Sequence, residues 1–296
     1  MQAQTKAVIS LTSTPDRFNY KLHNNYPMRD NISSLCLQNY KNYEVHLNIP
    51  KVYMAHNTES EIPKWLKKFE SEYDHFKIFL EEDVGPPTKI LPTLKRVQDP
   101  ETMIVVVDDD FVYHQDLVLE HSKKQKEMID TEYGESCIGY DGLQVSSARE
   151  GQFEKLFKLT GQDNTVRCVY VTRIGGEVSV RILQHYKSVS YKRKFFEDDF
   201  WEDFVGKTRS DDVLCSVYMA HKKIPRVVTC HQDYVDAEKG ISDDEWRDLL
   251  AGEMGFPCVR TIPFLMGTGT TDEKNVEIQE RFYFPEGWRS FLDNAP

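Results

Sequence analysis

The six cysteines, Cys36, Cys137, Cys168, Cys215, Cys230 and Cys258, contain no CxxC pair. That excludes a zinc ribbon and a dense disulfide framework and leaves reduced, mostly buried thiols as the expectation. No stretch approaches the ~18 consecutive apolar residues of a membrane span, so no span is expected. The opening MQAQTKAVISLTSTP has only a few apolar residues before polar ones, too short for a secretory h-region, and the expected location is the cytoplasm or the cytoplasmic face of a membrane. Positive charge is also in short supply. With 37 Lys and Arg against 48 Asp and Glu, the net charge is −11, which argues against a general binder of the nucleic-acid backbone. A nucleotide bound through a metal stays compatible with that balance. Internal repeats, low-complexity tracts and a dividing linker are all absent, while 40% hydrophobic and 29% charged residues are ordinary for a globular chain able to bury a core.

What is present reads as alternating strands and helices. Lys6 to Leu11 forms a buried strand, followed by the polar loop TSTPDRF, whose Pro15 blocks continuation. A helix is expected over Asn31 to Asn39, a strand over Tyr43 to Ile49 ended by Pro50, a short amphipathic helix after Pro63, and a strand over Phe76 to Leu80. A helix from about Ile90 to Val97 then leads to a strand at Met103. This βαβαβαβ order predicts an α/β fold with a mainly parallel sheet flanked by helices. The second half is less regular. Helices are expected over His121 to Tyr133 and Asp212 to His221, and strands over Ser136 to Tyr140, Val166 to Val171, Val178 to Leu183, Ser188 to Tyr191 and Arg226 to Cys230.

The segment Met103 to Asp116, MIVVVDDDFVYHQD, carries the strongest signal. A continuous β-branched run marks a central strand buried on both faces, and ligands of such sheets sit beyond the carboxyl ends of the strands. Asp108, Asp109 and Asp110 stand at that end. Adjacent carboxylates repel and favour protonation unless a cation lies among them, which suggests a hard ion, Mg²⁺ or Mn²⁺, held by oxygen ligands. A solvated Asp-rich turn is the bland alternative.

Four ordered blocks, ISLTSTPDRF, DVGPPTKILPTL, IVVVDDDFVYHQD and SDDVLCSVYMAHKKIPRV, lie between Ala7 and His231. Together they resemble the GT-A type, glycosyltransferase 2-like family, enzymes that use a DxD motif and a nucleotide-sugar donor. The resemblance implies a GT-A domain over residues 1–235, with a donor half of about 1–116 and an acceptor half of about 117–235. An irregular extension, residues 236–296, is expected to pack on the same domain; its sequence matches nothing familiar.

By this resemblance Asp108 lies near the ribose or metal, Asp110 ligates the Mn²⁺ or Mg²⁺ directly, and Asp109 belongs to the donor site. The ion would offset the charge developing on a departing nucleoside diphosphate. Asp83 and Lys89 flank a Gly-Pro-Pro turn suited to phosphate, although a plain turn with a solvated lysine fits those residues equally. Thr12, Thr14 and Arg17, in the loop after the first strand, are implied contacts of the base and ribose; a simple polar turn is the competing view.

A general base is needed beside the acceptor hydroxyl. Asp212, with Asp211 second, resembles the acidic pair that supplies it, and Ser210 and its neighbours also suit an ordinary helix cap. His231 is the implied third metal ligand, and His114 a weaker one. Glycines expected near Gln184 to Ser188 are replaced, notably by His185 and Lys187, so the acceptor pocket departs from the family pattern. Phe195, Phe196, Phe200 and Trp201 read either as a sugar platform or as partial core.

The implied activity is a metal-dependent, inverting transfer of a hexosyl or pentosyl group to a hydroxyl of a glycan, lipid or protein acceptor, in glycan biosynthesis. The alternatives are a sugar-phosphate nucleotidyltransferase, for which TSTPDRF lacks the Gly-rich basic loop, and a non-catalytic glycan-binding protein on a transferase fold.

Overall fold

The computed structural model describes residues 4–18, 27–143, 177–229 and 258–261. The first half runs β1 (Ala7–Thr12), α1 (Pro15–Phe18), α2 (Pro27–Cys36), β2 (Tyr43–Pro50), β3 (Val52–Tyr53), β4 (Thr58–Glu59), α3 (Lys64–Glu72), β5 (Phe76–Glu81), a tight helical turn at Pro86–Lys89, α4 (Leu91–Arg96) and β6 (Met103–Val106). There follow β7 (Phe111–Tyr113), α5 (Leu117–Ile129), β8 (Cys137–Gly139), β9 (Gly142–Leu143), β10 (Glu177–Ser179), β11 (Ile182–Leu183), β12 (Val189–Lys192), α6 (Asp211–His221), β13 (Arg226–Thr229) and β14 (Cys258–Thr261).

Eight strands make the main sheet in the order β10-β13-β8-β12-β6-β1-β2-β5. The strands β5, β2, β1 and β6 are mutually parallel, and β8 and β13 share their direction across the reversed strand β12. A second reversed strand, β10, lies at the edge. The sheet is thus mixed and mainly parallel, flanked by helices, as the strand and helix order predicts.

Period-two alternation distributes the apolar run over both faces. On β1 and β6, Val8, Ile104 and Val106 join one buried cluster with Ile90, Leu94, Val213, Val217 and Tyr218. Their neighbours Ile9, Leu11, Met103 and Val105 join the other, with Ile32, Leu35 and Leu117. Phe196 and Phe200 are buried against Tyr218, Phe195 is buried in the same cluster and only Trp201 is half-buried, so these rings are core and present no sugar platform.

Several boundaries differ from expectation for identifiable reasons. Helix α2 starts at Pro27, a residue tolerated in a first helical turn, and ends early because the Tyr43 hydroxyl donates to the Cys36 carbonyl at 2.7 Å. Helix α5 begins four residues before His121 and stops at Ile129, where the Thr131 hydroxyl donates to the Met128 carbonyl at 2.7 Å. The expected strand over Val178 to Leu183 divides into β10 and β11. The expected strand Val166 to Val171 lies outside the described residues. Strand β7, unanticipated, pairs antiparallel with β14, so a piece of the carboxyl-terminal extension runs beside the segment that follows the three aspartates.

Candidate active site

Chain order sets the location. From β1 the chain moves outward to β2 and β5, then returns to place β6 on the opposite flank of β1. Loops leaving the carboxyl ends of β1 and β6 therefore diverge, and the crevice between them is where an open α/β sheet binds ligands. The described part of the loop after β1 carries Ser13, Thr14 and Arg17; Asp108, Asp109 and Asp110 follow β6.

The three carboxylates separate by side. Asp108 meets Lys89, which sits beside α4, and Asp109 meets Arg17 of α1 on the other side. Both contacts are charge-assisted hydrogen bonds, which are stronger than neutral ones. Asn31 of α2 donates to the Asp108 carbonyl at 3.0 Å and to the Phe111 carbonyl at 2.6 Å, and the Asp108 amide donates to the Tyr113 hydroxyl at 3.0 Å. The backbone of the acidic turn is thereby fixed independently of its side chains.

Lys89 is buried rather than solvated, and its ammonium also lies 2.8 Å from Asp211 Oδ2. Burial acts to lower its pKa, but Asp108, Asp211 and Asp212 outweigh burial and hold it above the ordinary lysine range. A polar network fixes its backbone from beneath. Ser10 Oγ and Asn48 Nδ2 both donate to the Lys89 carbonyl, the latter at 3.1 Å, and Asn48 Oδ1 accepts from Arg96. Gly85, at φ 75°, makes the turn that brings Lys89 inward, a backbone state natural to glycine. Asp83 shapes the same turn, accepting from the amides of Gly85 at 2.8 Å and Met54 at 2.9 Å. Thr12 donates its hydroxyl to the Asn48 carbonyl at 2.7 Å, so toward a ligand it offers lone pairs only.

Helix α6 brings the second acidic pair. Ser210 caps it, accepting from the Val213 amide at 3.3 Å, and the helix is buried from Asp211 through Ala220. The cap and the acids therefore divide the roles of this segment between them. His185, fully buried in the loop between β11 and β12, reaches both acids: its Nδ1 is 2.6 Å from Asp211 Oδ2 and 3.2 Å from Asp212 Oδ1. Its backbone amide donates to Asp212 Oδ1 at 2.9 Å. Burial alone would raise the pKa of Asp211, but Lys89 and His185 outweigh it and keep this carboxyl well below the usual carboxylate range.

The residues fit a hard divalent cation. Asp109 Oδ2 and Asp110 Oδ1 are buried oxygens without a hydrogen-bond partner among the described residues. Burial, then Asp108 and Asp109, push the Asp110 carboxyl up to about 7, and Arg17 and Lys89 relieve this only in part. Uncompensated carboxylate oxygens in one place are the donor set such an ion takes. His185, Asp211 and Asp212 also bring ligand-type atoms within 4.8 Å of one another. In that group, however, the Lys89 ammonium already supplies positive charge to Asp211.

Lys89, Asp108 and Asp211 thus join into one cluster, with Asp212 held to it through His185, and Asp110 stands next to it. Arg17 lies with Asp109 rather than reaching outward. His114 pairs with Asp116 at 3.6 Å, outside this cluster. His231 lies outside the described residues. Sequence reasoning missed the roles of His185, Ser10 and Asn48; the only available signal was the loss of expected glycines around His185.

No helix among the described residues is long and apolar enough to cross a membrane. No protein-family model matches the sequence, and no curated protein matches it. Among solved structures, similarity is found to S. aureus TarS 1-349, with a TM-score of 0.41, 12% identity and coverage of 77% of this chain and 58% of that one. This chain therefore spans less than two thirds of that neighbour. The 4-diphosphocytidyl-2C-methyl-D-erythritol synthase of Anaerococcus prevotii gives 0.48 and 12%, covering 80% of this chain and 96% of that one. For the 2-C-methyl-D-erythritol 4-phosphate cytidylyltransferase of Francisella tularensis the values are 0.43 and 11%, with 80% and 100% covered. Likenesses this remote decide nothing about the chemistry.

Proposed function

We propose that the chain is a metal-dependent, inverting glycosyltransferase of the GT-A type, moving a hexosyl or pentosyl group from a nucleoside-diphosphate sugar to a hydroxyl of a glycan, lipid or protein. One observation carries this reading. At the switch point of the sheet, Asp108 at a strand end and Asp211 at a helix start meet on a single buried lysine, Lys89, and beside them Asp109 and Asp110 keep orphaned carboxylate oxygens.

Asp108 and Asp110 would hold Mn²⁺ or Mg²⁺, with His231 as a third ligand, and the ion when bound supplies Lewis-acid neutralisation of the diphosphate. Arg17 and Lys89 add fixed positive charge close by, where a low-dielectric setting strengthens it. Thr12, Thr14, Asp83 and Asp109 line or brace the donor side. In the transfer step the acceptor O–H bond breaks and its proton passes to the Asp212 carboxylate. The freed oxygen bonds to the anomeric carbon, and the bond from that carbon to the diphosphate oxygen breaks, its electron pair leaving with the nucleoside diphosphate. Lys89 and His185 stabilise the charged form of Asp211, which makes it a poor proton acceptor.

A thermal-melt panel of nucleoside diphosphates and their sugars, with and without Mn²⁺, tests the reading. A ligand at ~100 times its Kd adds ~2.7 kcal/mol by mass action, and the expected result is a rise in melting temperature that needs both nucleotide and ion. Absence of any ion-dependent rise would remove the donor site. Release of pyrophosphate from a nucleoside triphosphate and a sugar phosphate would instead indicate a nucleotidyltransferase.

A further inference from the structure

We propose that Asn31 is a positioning residue for the metal site, a buried carboxamide clamp that holds the turn from Asp108 to Phe111 in the shape a divalent cation needs. The assignment rests on the transferase reading above, in which Asp108 and Asp110 take the ion, and names what fixes them before it arrives.

Adjacent carboxylates repel one another, so an empty site needs something to keep them together. Lys89 and Arg17 hold the side chains of Asp108 and Asp109, whereas Asp110 Oδ1 has no hydrogen-bond partner among the described residues. The place of Asp110 is therefore set by its backbone. A carboxamide suits that task, because its nitrogen carries two hydrogens in a fixed plane. Asn31 Nδ2 gives one to the Asp108 carbonyl at 3.0 Å and the other to the Phe111 carbonyl at 2.6 Å, and these carbonyls flank Asp109 and Asp110 on either side. One atom thus spans the turn. Asn31 is fully buried, and its Oδ1 has no hydrogen-bond partner among the described residues. Turning the amide over would set oxygen against two carbonyl oxygens, so its orientation is fixed. A buried unsatisfied oxygen is unfavourable, and what the residue contributes is its two donors.

Helix α2 delivers the clamp. Its Ile32 and Leu35 are buried in the core cluster that contains Ile9 and Val105, while Asn31 and Ser34, three residues apart on the helix, both reach the chain that follows β6. Ser34 Oγ accepts from the Tyr113 amide at 3.1 Å and donates to the Asn31 carbonyl at 2.7 Å. Gln38, just beyond the helix, serves a separate stretch: it donates to the His114 carbonyl at 3.0 Å and accepts from the Val118 amide at 3.2 Å. The contacts are thus divided along the chain. Asn31 holds the acidic turn, and Gln38 holds the entry to α5.

The test titrates MnCl₂ into the full chain, alone and with UDP, GDP or CDP, and follows free Mn²⁺ by its paramagnetic resonance for wild type, Asn31→Leu and Gln38→Met. Both substitutions nearly keep the side chain's size and remove its donors. Asn31→Leu should weaken Mn²⁺ binding about ten- to a hundredfold, the range for groups that orient metal ligands without touching the metal. Gln38→Met should leave Mn²⁺ affinity unchanged while lowering stability in chemical denaturation. Asn31→Ala supplies the same comparison if the leucine variant does not fold. Two NMR readings on the wild type need no variant at all: the Asn31 carboxamide protons should exchange slowly with solvent, and bound Mn²⁺ should broaden them more than those of Gln38. Unchanged Mn²⁺ affinity in the Asn31 variant, an equal loss in Gln38→Met, or fast exchange at Asn31 would overturn the clamp and leave the transferase reading standing. A bound ion that leaves Asn31 unbroadened, or a wild type that takes up no Mn²⁺ with any of these nucleotides, would remove the metal site and both readings with it.

Discussion

At the residue scale, the site is governed by how few cations serve so many acids. Asp108, Asp109, Asp110, Asp211 and Asp212 share Lys89 and Arg17, and Asp110 is the carboxyl left with an orphaned oxygen and a pKa near neutrality. Asp110→Asn removes that burden without changing shape, so the fold should survive while Mn²⁺-dependent nucleotide binding, read by calorimetry, falls at least about tenfold. Lys89→Met should act oppositely. Removing one partner of a buried ion pair leaves uncompensated charge, and a loss of about 3 kcal/mol is expected in chemical denaturation. Part of that loss should return on adding Mn²⁺, because a second cation can stand where the ammonium was. The aspartate triplet, Lys89 and the acidic pair were legible in the sequence because each is a local motif at the end of a recognisable element. Their mutual pairing was not: Lys89 and Asp211, or Arg17 and Asp109, meet across long stretches of chain that no periodicity reports.

At the element scale, α5 and the loop before β12 form a unit whose stability is tied to proton uptake. Burial pushes the His121 imidazole down to about 3 from an ordinary 6.5, with Tyr140 and Ser188 against it. A histidine with a depressed native pKa stays neutral when folded and takes a proton when unfolded, so its contribution is complete above pH ~6.5 and is lost as pH falls toward ~3. At pH 5 the loss should be about 2 kcal/mol. Denaturation of His121→Gln at pH 7 and pH 5 should show a correspondingly smaller drop than wild type. Gly142 exposes a second constraint. An added Cβ would lie 2.8 Å from both Val180 Cγ2 and Val228 Cγ2, so Gly142→Ala should destabilise by about 2 kcal/mol in the same assay. Strand and helix order was readable from alternation alone, whereas boundaries followed side-chain caps such as Tyr43 on Cys36 and Thr131 on Met128, which depend on tertiary placement. The reversed strands β10 and β12 were invisible as such, because a buried strand has the same apolar run in either direction.

At the scale of the whole molecule, the return of β6 to the far flank of β1 creates the crevice, and net charge decides what may enter it. With −11 overall, no binding to double-stranded DNA should be measurable by fluorescence anisotropy at ~0.15 M salt, whereas a nucleotide accompanied by Mn²⁺ should bind. The mainly parallel architecture was foreseeable because helices and strands alternate in the first half; the closing of the site was not, since it comes from the less regular second half. Helix α6 is enclosed by core along almost its whole length. Its acidic start is consequently an immovable anvil, and on the proposed transferase reading any incoming acceptor must be carried to that fixed point. Adaptation to a different acceptor would then fall on the surface segments around the crevice, since shifting the anvil itself would mean rebuilding the interior.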